Sequence, residues 1–243
     1  MAARILRVKH QGKAFQAGLR IIFWSLVLLL VVTASGIVAA LVGTFVAAIA
    51  GLLFGLWVLF ALSCLFFFRD PNPNVPMEAG VVVSPGSGKV DAIEEFHEEE
   101  FMGGRCRRIS VFLSILDVHV QRTPTAGRIA LLKYNRGEFL NAMKIESGLK
   151  NENLLIGIES SERPGERIGV RLIAGMIARR ILPWIVLGDE VARGERMSLI
   201  RFGSRVDLYL PMEMRVEIQV GTRVQGGATI IARGPADAHE TAH

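Results

Sequence analysis

Between Ile21 and Phe68 the sequence has no Asp, Glu, Lys or Arg. Water-soluble domains interrupt so long an apolar run with charge, so a freely soluble protein is excluded. Cysteine is scarce as well. Cys64 lies inside the apolar run and Cys106 in the polar part, so there is no disulfide framework, in keeping with a reducing compartment. The five histidines (10, 97, 119, 239 and 243) show no ligand spacing and neither cysteine has a Cys or His nearby, which argues against structural zinc and predicts no metal. A charge excess is also missing from the polar part. Five basic groups before Ile21 (Arg4, Arg7, Lys9, Lys13 and Arg20), opposed by no acid, account for the whole formal charge of +5, and residues 69–243 carry 23 groups of each sign. A nucleic-acid-binding domain should hold its basic excess on the folded part, so no nucleic-acid partner is expected.

What is present at the N-terminus reads as a membrane anchor. The 48 uncharged residues exceed one crossing, since about 20 helical residues span the hydrocarbon layer. The run divides near Thr33–Gly36 or at Gly43, which predicts a two-helix transmembrane hairpin over residues 21–68. A cleaved signal peptide is excluded because the stretch is too long and lacks a small-x-small exit. The basic residues 1–20 favour a cytoplasmic N-terminus. Two crossings then return the chain to that side, so a domain over residues 69–233 is expected on the cytoplasmic face of the cell (inner) membrane. A single long tilted helix would reverse that side.

Arg69-Asp-Pro-Asn-Pro-Asn-Val-Pro76 reads as an extended exit from the membrane. Beyond it, short Val- and Ile-rich runs broken by Gly, Pro and Asn predict strands at 81–84, 106–115, 128–134, 154–159, 168–173, 197–201, 206–210 and 216–220. Residues 175–182 fit helix or strand. The expectation is a mainly β (α+β) domain with one or two short helices, followed by a disordered tail over 234–243. Gly188-Asp-Glu-Val191-Ala-Arg-Gly194 is echoed by Gly221-Thr-Arg-Val224-Gln-Gly-Gly227, each copy preceding an apolar run. Paired glycines around an inward Val suit a tight turn feeding a strand, as in the barrel-sandwich turns of lipoyl and biotinyl carrier domains. The carrier's modified lysine is absent from both copies, so the echo is read as architecture.

Chemistry is concentrated in Leu199-Ile-Arg-Phe-Gly203-Ser204-Arg-Val-Asp-Leu-Tyr-Leu-Pro211. A Gly-Ser pair is a common turn. A serine hydroxyl can also attack the carbonyl before it when the backbone is held strained near a base, and a preceding glycine removes the obstructing Cβ. In its wider setting this segment closely resembles the C-terminal signature of the short-type phosphatidylserine decarboxylase proenzymes. Phe67-Phe-Arg-Asp-Pro71 resembles that family's post-membrane segment, Ser114-Ile-Leu-Asp-Val-His119-Val-Gln-Arg-Thr-Pro124 its histidine motif, and Asn151-Glu-Asn-Leu a worn version of its Asn-Glu-Arg-Asn stretch. The resemblance covers residues 65–233, and its FGSRVDLYLP end is the most specific piece.

The resemblance implies a self-cleaving, pyruvoyl-dependent lipid decarboxylase. Ser204 would attack the Gly203 carbonyl, and the chain would part into a β chain of 203 residues and an α chain of 40 that remain together as a heterodimer. Elimination and loss of ammonia would turn Ser204 into a covalent pyruvoyl group, an electron sink for releasing carbon dioxide from phosphatidylserine to give phosphatidylethanolamine. His119 matches the motif histidine and is the acid/base candidate. Asp117, two residues away, would share a strand face with it and orient it, or is a loop acid. One departure stands out. The family usually has Ser-Pro-Ala-Asp-Gly after the first strand, whereas this chain has Ser84-Pro-Gly-Ser87-Gly-Lys-Val-Asp91, with a hydroxyl at the acid's position. Either Asp91 or Asp117 substitutes, or self-cleavage is slow, or the site is impaired; slow but real processing is the expectation.

The basic clusters Arg105–Arg108 and Arg179–Arg180 are candidates for lipid phosphate, though such pairs are more often solvated surface. The acidic run Glu94–Glu100 reads as a solvated loop or strand face. Two rival readings stand beside the decarboxylase: a membrane-tethered β-domain with structural or assembly duties, and the same chemistry on another serine-headed lipid such as an ether lipid. Homo-oligomerisation is left open by the sequence.

Overall fold

In a computed structural model the described residues are 13–137, 151–175, 180–200 and 204–235. They form one long helix and fourteen strands. The chain divides into two compact units, residues 1–63 and 64–243.

Helix α1 (Lys13–Phe67) runs without a break for 55 residues, and its segment Ile22–Phe67 is long and apolar enough to cross a membrane. The two-helix hairpin is therefore not seen, and the physical reason is local. No proline lies in the run to remove a backbone donor. Its hydroxyls turn back onto their own helix, as in Thr33 Oγ1 donating to Leu29 O at 3.0 Å and Ser35 Oγ to Val32 O at 2.9 Å. Large apolar side chains along it, from Ile22 to Phe66, are exposed, which suits lipid as solvent.

The strands that follow are β1 (Val81–Val83), β2 (Gly88–Glu98), β3 (Gly104–Leu113), β4 (Val120–Arg122) and β5 (Gly127–Asn135). Then come β6 (Asn153–Ser160), β7 (Arg167–Ala174), β8 (Ile181–Pro183), β9 (Glu190–Val191) and β10 (Arg196–Ile200). The last are β11 (Ser204–Leu210), β12 (Arg215–Val216), β13 (Arg223–Val224) and β14 (Ile230–Arg233). Eight of them form one sheet in the order β13-β2-β3-β11-β7-β6-β5-β9, flanked by the three-stranded sheets β4-β10-β8 and β1-β14-β12. The protein is thus mainly β with one long apolar N-terminal helix.

Alternation along β11 decides what each face holds. Val206, Leu208 and Leu210 enter the main core with Ile109, Val111, Leu113, Val170 and Leu172, while Arg205, Asp207 and Tyr209 are buried on the opposite face. The echoed turns sit at the two edges of the large sheet. Gly188 N donates to Ile129 O and Gly221 N to Val90 O, each at 2.8 Å, and the four framing glycines have φ between 76° and 94°. A second echo emerges in the structure: Ser84-Pro85 and Thr123-Pro124 each precede a glycine, Gly88 or Gly127, where an added Cβ would lie 2.1 Å from a carbonyl oxygen of the neighbouring strand. The domain is therefore built from two similar halves, with β11 near the middle.

Several strands differ from the sequence reading. Of the two readings of the acidic run the strand face holds, adding a strand, since Glu94–Glu98 belongs to β2. There Glu94 pairs with Arg108, and Glu95 with Arg105, across the β2–β3 ladder. These arginines, offered above to lipid phosphate, are thus held by carboxylates; Arg180 is exposed, and Arg179 lies outside the described residues. The strand expected at 216–220 shrinks to β12, because the chain turns at Gln219–Thr222, with Thr222 N donating to Gln219 O. Most of the tail, residues 236–243, also lies outside the described residues.

Candidate active site around Ser204 and His119

Ser204 opens β11, paired on one side with Leu113 of β3 and on the other with Ala174 of β7. It is in phase with Val206, so its hydroxyl faces the core. The residue is fully buried, and its Oγ has no hydrogen-bond partner among the described residues. A buried hydroxyl left unpaired costs about 1–3 kcal/mol and asks for an explanation. Gly203, the other half of the cleavage pair, lies outside the described residues together with Arg201 and Phe202.

The flanks of that tripeptide are nevertheless fixed. On one side Leu199 pairs with Val120, and Ile200 N donates to His119 O at 3.2 Å. On the other, Ser204 pairs with Leu113. Leu113 and His119 are the two ends of a single turn, so the turn 114–118 joins the sheet that holds β11 to the sheet that holds β10. Backbone pairing alone thus brings His119 beside Ile200.

The turn itself is built by Asp117. Its Oδ2 accepts from Ser114 N at 2.8 Å and Ser114 Oγ at 2.6 Å, and its Oδ1 faces Arg223 at 3.4 Å. The Asp117 main-chain oxygen, not its carboxylate, meets His119 Nδ1 at 2.9 Å. A carbonyl only accepts, so Nδ1 carries the proton and the neutral ring keeps its basic lone pair on Nε2. The shared strand face expected for the two residues is thus replaced by a turn. His119 is fully buried, with the Phe67 ring 4.2 Å away, centroid to centroid. Burial pushes its imidazole below the ordinary value; the Asp117 carbonyl and charge oppose this, and the Arg69 charge adds to it.

Asp91 and Ser87 go elsewhere. Asp91 is paired with Arg205, whose side chain lies on the face of β11 opposite to Ser204. Ser87 Oγ accepts from Gly226 N at 2.9 Å, in the second echoed turn. Its neighbour Gly86 abuts Val206 and Leu113, the residues flanking Ser204 along and across the sheet.

Three contributions were not foreseen. Phe67 closes one side of the His119 ring. Arg69 donates to Phe66 O at 2.8 Å and to Leu116 O at 2.6 Å, tying the end of α1 to the turn. Asp70 pairs with Arg122, at 2.6 Å, and with Arg196, which fastens the exit segment to β4 and β10. The motif Phe67-Phe-Arg-Asp-Pro71 was the signal that could have found them.

Residues 60–232 match the sequence profile described as phosphatidylserine decarboxylase. The chain belongs to the phosphatidylserine decarboxylase family. Among curated members, a phosphatidylserine decarboxylase proenzyme of Symbiobacterium thermophilum is 41% identical over 200 residues, covering 80% of this chain and 92% of its own. One from Carboxydothermus hydrogenoformans is 38% identical over 212 residues, covering 87% and 93%. One from Desulfotalea psychrophila is 40% identical over 169 residues, covering 70% and 78%. The phosphatidylserine decarboxylase match spans the exit segment, the histidine turn and Ser204 together. The exit segment meets the histidine turn through the side chains of Phe67 and Arg69.

Proposed function

We propose that the protein is a membrane-bound phosphatidylserine decarboxylase that cleaves itself between Gly203 and Ser204. The observation that carries this reading is the buried Ser204 hydroxyl, without a partner among the described residues, next to a segment whose flanks Ile200 and Ser204 are pinned by the two ends of the His119 turn. His119 Nε2 takes the proton from Ser204 Oγ as the oxygen adds to the Gly203 carbonyl carbon. The same nitrogen returns the proton to the amide nitrogen of residue 204 as the C–N bond breaks, leaving an ester. Removal of the Ser204 Cα proton then expels the Gly203 carboxylate, which keeps the serine oxygen. Water replaces the nitrogen of residue 204 as ammonia, leaving a pyruvoyl group.

The buried hydroxyl fits that outcome, because among the described residues its oxygen has no hydrogen bond to lose. The keto group supplies an electron sink for the carbon dioxide to leave the serine headgroup of phosphatidylserine, giving phosphatidylethanolamine. The protein's own part is to hold residue 204 in a buried strand, to keep His119 neutral by burial beside the Phe67 ring, and to orient it through the Asp117 carbonyl. Asp117 supports the site by building the turn. The two chains stay together as a heterodimer, because β11 is hydrogen-bonded to β3 and β7, both in the upstream fragment.

In a bilayer the apolar stretch of 46 residues, about 69 Å as a helix, exceeds the ~30 Å hydrocarbon layer twofold. Folding back near Thr33–Gly36 or Gly43 resolves the mismatch and keeps the domain on the cytoplasmic side with the basic N-terminus.

Intact mass of the full chain purified in detergent tests the reading. Two pieces parting before residue 204, with the downstream one bearing a pyruvoyl terminus that cyanoborohydride traps with phosphatidylserine, are expected. A single full-length chain with an ordinary serine overturns it in favour of a tethered β-module. Protease added to inverted vesicles should degrade the domain, and degradation only in right-side-out vesicles refutes the cytoplasmic side.

A further inference from the structure

The turn that carries His119 has an apolar tip that the reaction scheme does not use. Ile115 and Leu116 are 53% and 69% exposed. Solvated turns favour small and polar residues, so two adjacent large aliphatics at a tip ask for a partner. What lies beside them identifies it. Arg69 donates to Leu116 O while its guanidinium also caps Phe66 O and lies 4.0 Å over the Phe66 ring. Leu65, Phe66 and Phe68, the last residues of the apolar stretch, are themselves exposed. One arginine therefore spans the end of a membrane helix and the tip of the histidine turn. A long cationic side chain at the end of an apolar helix marks the headgroup level.

We infer that the tip Ile115–Leu116 inserts into the boundary between headgroups and acyl chains of the bilayer. This rests on the membrane-bound decarboxylase reading and adds a device to it. His119 follows Leu116 by three residues, so insertion brings the reaction centre to the depth at which a lipid headgroup lies. The substrate is then processed without leaving the membrane. The occupant is lipid, because the patch is continuous with the end of the membrane helix and because Arg69, between the two, suits lipid phosphate.

The test uses the full chain in phosphatidylcholine vesicles. Leu116→Cys in a Cys64→Ser background is labelled with the fluorophore NBD; Cys106 is fully buried and escapes the label. Glu99→Cys, at the far end of the β2–β3 hairpin about 27 Å from the turn, serves as the reference. Blue-shifted emission at position 116, quenched by lipids bearing a nitroxide on the upper acyl chain and shielded from iodide, is expected, with the reverse at position 99. Quenching by iodide alone overturns the inference. Shielding that vanishes as protein is diluted into excess lipid also overturns it, since it points to a second copy. In addition, Leu116→Glu should lower turnover of vesicle-embedded phosphatidylserine about tenfold while leaving self-cleavage and turnover of a dissolved short-chain analogue unchanged; equal losses on both substrates refute insertion. Failure of the decarboxylase reading would show separately, as an uncut chain, whatever the quenching pattern.

Discussion

Removing the Asp70 carboxylate should loosen the domain by a predictable amount. Asp70 holds Arg122, whose side chain is only 6% exposed, against 26% for Asp70 itself. Breaking a fully buried ion pair by deleting one partner costs about 3–5 kcal/mol, most of it from the charge left behind. Here the loss is smaller for two reasons. Asp70 is a quarter exposed, and Arg122 keeps two carbonyl partners, Pro71 O at 3.0 Å and Gly194 O at 3.1 Å. We expect about 2–3 kcal/mol for Asp70→Ala, and about half of that for Asp70→Asn, whose oxygen still accepts one bond.

For a chain of this size each kcal/mol shifts Tm by about 2–4 °C, so Asp70→Ala should melt about 5–10 °C lower in a detergent thermal scan. The double variant Asp70→Ala/Arg122→Met distinguishes the cause. If the penalty is an uncompensated buried charge, removing that charge raises Tm above that of Asp70→Ala alone. A single variant within about 1 °C of the parent, or a double variant that melts lower still, refutes the reasoning.

Two further outcomes concern the site. Because burial holds the His119 imidazole below the free value of 6.5, the neutral ring persists under that pH, and the acid limb of self-cleavage should fall below it. The linked stability runs the same way, fully present above 6.5 and lost as pH falls through the folded value. Arg69→Gln, by removing a nearby positive charge, should move the cleavage limb upward in a pH series on chain synthesised cell-free into vesicles. An unmoved or lowered limb contradicts the assignment. Ser87→Asp restores the acid usual in the family and keeps an acceptor for Gly226 N, so it should speed self-cleavage, read as loss of the full-length band; no acceleration would deny Ser87 that position.

Strands rich in Val, Ile and Leu, such as β6, β7 and β11, were legible because burial on a central sheet leaves an almost continuous apolar run. Strand β2 was not, since Glu94, Glu95 and Glu98 break that pattern and are stabilised by arginines distant in sequence. The two-residue strands β9 and β13 carry too little pattern, though their glycine-framed turns gave them away as an echo. In the anchor, composition revealed an apolar span, but periodicity does not report whether it runs as one helix or two. Ser204 and His119 stood out only through family resemblance, because a Gly-Ser pair and a lone histidine have no chemistry of their own. The packing of Phe67 on His119 joins residues 52 positions apart, and the motif around Phe67 marks that segment without naming its partner.

The position of the bond in the sheet also bears on what cleavage can leave intact. A new terminus on an edge strand would fray, since only one ladder would hold it. Ser204 begins a strand that has neighbours on both sides: seven residue pairs run along β3 and six along β7. Strands β13 and β14, downstream of the break, pair with β2 and β1, upstream of it. Cutting one peptide bond therefore removes a connection between sheets and none of the pairing within them. On the proposed cleavage residue 204 stays clamped between β3 and β7. A reactive group formed at a chain end can then be as rigid as one in mid-strand, and the histidine turn, anchored on both of the same sheets, keeps its place beside it.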